Sequence, residues 1–145
     1  MRAAAALVVP VVLAFTVPPV GFLASFSLPL LAARMRSRLW PRTSRLTGQL
    51  CAALALAGLW LPALLALVSN GRIGFEATTW LVLPLCAPSG AALLVPPVLA
   101  VLTYLAGLTA SVVTKSPVPW VLGTWGAPLA YWAASSWLVD FSCVS

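Results

Sequence analysis

Two carboxylates, Glu76 and Asp140, and three cysteines, Cys51, Cys86 and Cys143, are the only acids and thiols in the chain, and histidine is absent. A carboxylate pair can do acid–base work when burial drives the two pKa values apart. Here the acids stand 64 residues apart, each beside the end of an apolar stretch, where an ordinary interfacial side chain is expected. Redox thiol chemistry favours a Cys-x-x-Cys pair, in which one thiol activates or resolves the other. No such pair occurs. Without histidine the chain cannot build a histidine-based triad, a histidine-ligated haem or a typical zinc site. The residue inventory therefore predicts no catalytic centre, cofactor or metal, and leaves a membrane enzyme using Glu76 and Asp140 as the weakest of three functional classes.

The elements that would carry these residues are apolar. Of 145 residues, 62% are hydrophobic and 7% charged, against about 25% charged in a soluble domain. The charges leave four uncharged runs: Ala3 to Ala33 (31 residues), Leu46 to Ser69 (24), Ala77 to Thr114 (38) and Ser116 to Val139 (24). Runs of roughly 18 or more such residues read as membrane-spanning helices. The expected fold is all-α, a single membrane domain over 1–145. Its four transmembrane helices fall near 7–33, 46–69, 91–113 and 117–139, with 77–90 as a half-length interfacial or re-entrant segment. A dominance of alanine, leucine, valine and proline, with seven arginines to one lysine, suggests a bacterial inner membrane.

Between the first two runs lie Arg34, Arg36, Arg38, Arg42 and Arg45, five arginines in twelve residues without an acid. The positive-inside rule makes this loop cytoplasmic. Alternation then puts both termini outside, with the five arginines and Lys115 inside and Arg2, Arg72, Glu76 and Asp140 outside. The sums are +6 and zero. These arginines are expected to meet anionic lipid or an acidic partner; nucleic acid is not an expected ligand.

The first and third runs are too long for one crossing, since 38 helical residues would reach about 57 Å against a hydrocarbon core of about 30 Å. The first contains Pro10, Pro18-Pro19 and Pro29, and is expected to be one overlong, kinked helix. It is too long for the apolar core of a signal peptide. In the third, Cys86-Ala-Pro-Ser-Gly90 is turn chemistry, so the span should start near Ala91 with Pro96-Pro97 in its first turns. The alternative is five spans, with 77–95 and 98–114 as separate helices. Val17-Pro-Pro-Val20 and Val95-Pro-Pro-Val98 are identical and equivalently placed, which raises a tandem duplication of the parallel-repeat kind.

Small residues on the fourth span suggest helix packing, because close backbone approach drives association in lipid. Gly126, Ala130 and Ala134 form one row, with Gly123 and Ala127 beside it. Ala53 and Ala57, or Gly107 and Ser111, are candidate receivers. Trp40, Trp80, Trp120 and Trp137 lie near span ends and read as headgroup-level anchors, whereas Trp60, Trp125 and Trp132 lie deeper. Cys86 and Cys143 fall on the same outer side, and a bridge between them would close a loop of about 58 residues and contribute roughly 4 kcal/mol. The functional expectation is a small subunit or assembly partner of a membrane complex, its partners being lipid and either another membrane protein or further copies of itself. The alternative is a transporter or channel component for a small or lipophilic solute.

Overall fold

A computed structural model describes residues 2–68 and 90–138. Among them every regular element is a helix: α1 (Arg2–Thr16), α2 (Pro18–Ser25), α3 (Leu28–Leu39), α4 (Arg45–Val68), α5 (Gly90–Thr114) and α6 (Val118–Leu138). The segment Leu94–Thr114 is long and apolar enough to cross a membrane.

The first apolar run is not the single kinked helix expected from its length. At Val17 the backbone leaves the helical region (φ −131°, ψ 76°), and Pro18 and Pro19 open α2, where a missing amide proton costs least. The chain then folds back on itself. Gly21 lies so close to α1 that a Cβ placed on it would land on the backbone of Leu13 and Ala14. A second break at Phe26 and Ser27 leads into α3, with Pro29 in its first turn. The run is thus a hairpin, with α1 as one leg and α2–α3 as the other.

Side-chain contacts fix the direction of each leg. The Tyr104 hydroxyl reaches the Leu7 carbonyl at 2.8 Å, and the Phe15 and Tyr131 rings lie 5.5 Å apart. Hence α1 runs parallel to α6 and antiparallel to α5. Because Trp40 is tied to Ser111 near the α5–α6 turn, the N-terminal end of α1 lies at the same end of the bundle as the arginines. A single first crossing, as expected from the length of the run, would put it at the opposite end.

Two other expectations change. Helix α5 runs unbroken through Pro96 and Pro97, so the five-span division between 95 and 98 does not occur. The two Val-Pro-Pro-Val tetrapeptides differ in conformation, one ending a helix and the other inside one. The two copies therefore do not mark equivalent structural positions among the described residues.

Helices α5 and α6 make the most extensive pairing, and their turn is tightly specified. Lys115 adopts a left-handed conformation (φ 53°). Its N–H bonds the Val112 carbonyl at 3.4 Å, and that of Ser116 bonds the Ser111 carbonyl at 3.2 Å. This is the pair of bonds of a Schellman C-cap, with lysine where glycine is usual. Helix α4 starts on a serine cap, the Thr47 N–H donating to Ser44 Oγ at 3.2 Å, which satisfies one of the free donors of a helix N-terminus.

Candidate functional site

The densest polar chemistry lies at the arginine end of the bundle, where two parallel relays cross the core. In one, the Trp40 indole N–H donates to Ser111 Oγ at 2.6 Å, and that hydroxyl donates to the Ser116 carbonyl at 2.7 Å. In the other, the Trp120 indole N–H donates to the Tyr104 hydroxyl at 3.0 Å, which donates to the Leu7 carbonyl at 2.8 Å. The indole rings lie 5.3 Å apart and tilted by 35°, within the range of favourable aromatic pairs. Trp40, Tyr104, Ser111 and Trp120 are all buried. Each donor thus ends on an acceptor, the condition for burying polar groups at low cost. These relays join the start of α1, the chain after α3, α5 and α6.

Trp40 and Trp120 are accordingly not the headgroup-level anchors expected of them. Both lie close to helix ends, as sequence position implies, but both rings are buried inside the bundle. In the sequence Tyr104 is one hydroxyl in an apolar run and Ser111 a small residue four positions after Gly107. Their pairing with two tryptophans has no local signal.

Around this core lies a rim of cations. Arg34, Arg38, Arg42, Arg45 and Lys115 are exposed. Arg36 differs: its guanidinium donates to the Thr43 carbonyl, and its stem lies over Gly48. It shapes the α3–α4 turn instead of reaching outward. The described residues include no acid, since Glu76 and Asp140 lie outside them, as do Cys86 and Cys143. The remaining cysteine, Cys51, is buried.

The small-residue face of α6 is used, but on its second row. Gly123 and Ala127 are buried, and a Cβ on Gly123 would come within 3.0 Å of the Gly107 Cα. Conversely, a Cβ on Gly107 would lie 2.6 Å from the Pro119 carbonyl oxygen. Gly126, Ala130 and Ala134 flank this contact and stay half-buried; a Cβ on Gly126 would meet only the Thr103 methyl, at 3.0 Å. Gly107 is the receiver. Ala53 and Ala57 are exposed, because α4 packs on α6 through Gly58, over which Trp125 lies with its N–H on the Leu54 carbonyl at 2.9 Å. The deeper Trp60 donates to Ser25 Oγ at 2.9 Å and stacks on Phe26 with ring centroids 4.5 Å apart. Thr16, Thr103 and Thr109 return their hydroxyls to the carbonyl four residues back, a common resting place for hydroxyls in apolar helices.

No family model matches the chain, and no curated protein or solved structure is similar to it.

Proposed function

We propose that this is a multi-pass integral membrane protein without a catalytic centre of its own, acting as a small subunit or assembly partner of a membrane complex. The observation that carries the reading is the outward face of the bundle. Leu23, Leu30, Leu46, Leu54, Leu94, Val98, Leu102, Val113, Leu122 and Leu129 are all more than half exposed. So many exposed large apolar side chains need lipid or another protein. What is buried is small and already satisfied, and no side-chain oxygen or nitrogen among the described residues is buried without a partner.

In the proposed topology α4, α5 and α6 cross the bilayer. At 24, 25 and 21 residues they exceed the roughly 20 that a span needs. The α1–α3 hairpin enters from the arginine face and returns to it. This moves Arg2 to the cytoplasmic side, so the charge there becomes +7 (Arg2, five loop arginines, Lys115), leaving −1 (Arg72, Glu76, Asp140) on the other, a total of +6. The asymmetry is stronger than with the N-terminus outside, as the positive-inside rule favours.

Cysteine accessibility tests the topology. In a background lacking the native thiols, Ala3→Cys and Ser37→Cys should resist a membrane-impermeant thiol reagent in intact cells while Asn70→Cys reacts. Labelling at Ala3 with protection at Ser37 would restore a single first crossing. Copurification in mild detergent tests the subunit reading: a different protein should be recovered in fixed stoichiometry. Recovery of a lone monomer that stays folded without a partner would overturn it.

A further inference from the structure

We infer that the α3–α4 turn is a seat for an anionic phospholipid, with phosphate held by Arg38, Arg42 and Arg45 and an acyl chain lying along α4; the inference rests on the membrane reading above. Three observations converge on this occupant.

The turn is rigid. The Arg36 guanidinium is fastened to the Thr43 carbonyl, Ser44 Oγ accepts the Thr47 N–H, and the Trp40 ring immediately before the turn is buried and bonded to Ser111. The remaining arginines thus extend from a fixed frame, which limits the entropy lost on binding.

The cations are uncompensated. Arg38, Arg42 and Arg45 are exposed, and Lys115 reaches the same end of the bundle beside Ser116, the terminus of the Trp40 relay. No carboxylate lies among the described residues to neutralise them. A guanidinium matches two phosphate oxygens with two parallel N–H donors, which favours a phosphodiester over a diffuse negative surface.

The third observation separates lipid from an acidic protein. Directly above the arginines, Leu46, Leu50 and Leu54 are 68%, 56% and 51% exposed and lie four residues apart, one unbroken stripe along the outer face of α4. On α3, Leu30 is 75% exposed one turn before Arg34, and on α5 Val113 is 74% exposed just before Lys115. A cationic foot continuous with an apolar stripe complements a molecule with an anionic head and a hydrocarbon tail. An acidic protein surface would match the foot and leave the stripe uncovered.

The test uses the full chain reconstituted in phosphatidylcholine bilayers with trace spin-labelled lipid. The motionally restricted spectral component reports lipid at the protein surface. Spin-labelled phosphatidylglycerol should be selected over spin-labelled phosphatidylcholine by about five-fold, the order expected from a few arginines at an anionic headgroup. Changing Arg38, Arg42 and Arg45 together to Gln should reduce selection to near unity while the restricted fraction with phosphatidylcholine stays constant. Should that variant fail to reconstitute, the exposed loop change Arg42→Gln alone should lower selection at least two-fold. Equal selection of the two lipids by the unaltered protein, or full selection by the variants, would overturn the seat. So would displacement of restricted phosphatidylglycerol by excess polyglutamate at constant ionic strength, an outcome that points to an acidic protein. Absence of any restricted component with either lipid would instead overturn the membrane reading beneath it.

Discussion

Val17-Pro18-Pro19-Val20 ends one helix and starts another in the opposite direction, whereas Val95-Pro96-Pro97-Val98 lies inside a helix of 25 residues. A proline pair removes two amide donors in either setting, so the tetrapeptide alone decides nothing. The deciding difference follows each pair. Gly21 has no side chain to hold α2 away from Leu13 and Ala14, and the backbone closes into a corner. The matching position in the second copy is Leu99, which is 42% exposed and takes no part in a close approach. The chain that follows Leu99 instead packs on α6 through Gly107 and Gly123, and α5 continues as one helix. Proline supplies the option to bend; a glycine with a backbone to meet makes the bend the lower state.

The comparison breaks most severely at Gly21. Gly21→Leu should cost about 3 kcal/mol or more, the upper range for forcing extra atoms into a filled site, because the atoms in the way are backbone. Leu99→Ala should cost less than about 1 kcal/mol, since an exposed side chain loses little burial. Reversible unfolding in mixed detergent micelles measures both. A Gly21→Leu protein as stable as Leu99→Ala would show that the corner opens without loss.

Substitution at the second helix pair sharpens the contrast. Gly107→Leu and Gly123→Leu should each cost about 2–3 kcal/mol. Gly126→Leu should cost less, because its nearest obstacle is the Thr103 methyl, yet still more than Leu129→Ala on the exposed face. Equal losses at positions 123 and 126 would spread the contact over both rows of α6.

The relays that tie the hairpin to the α5–α6 pair come next. Tyr104→Phe would leave the Trp120 N–H without its acceptor and should cost about 1–3 kcal/mol, the penalty for a buried unmade hydrogen bond. Pairing it with Trp120→Phe in a double-mutant cycle should recover part of that loss. Strict additivity would mean that the bond does not couple the two helices.

Lys115→Gly has a small expected effect of the opposite sign. Relieving a left-handed lysine should stabilise the α5–α6 turn by about 1 kcal/mol. The same protocol as for Gly21→Leu reads it, and a destabilised variant would show that the lysine side chain contributes more than its backbone strain costs.

Sequence made part of this visible and hid the rest for physical reasons. Helical content follows from long uncharged runs. The gathering of arginines at one end follows from spacing alone. The corner at Val17 was hidden because prolines in an apolar run look the same whether the helix kinks or reverses. Only Gly21's approach to Ala14, a tertiary contact, separates the two. The burial of Trp40 and Trp120 is illegible for a related reason: distance from a helix end is a local property, and burial is not. On α6 the presence of small residues was readable, but which row meets Gly107 depends on rotation about the helix axis, which composition does not encode.

The corner also bears on how such a chain enters a bilayer. Helix α1 has 15 residues, about 22 Å at the usual rise, and the returning leg has a similar apolar length before Arg34. Each leg alone is a weak insertion signal for the translocation machinery. In the topology proposed above, the two legs folded back at Val17 partition as one unit, and Arg2 and the five loop arginines never leave the side on which they were synthesised. Insertion of the N-terminal third then requires no charged residue to cross the hydrocarbon, and the first leg need not await the helices that follow.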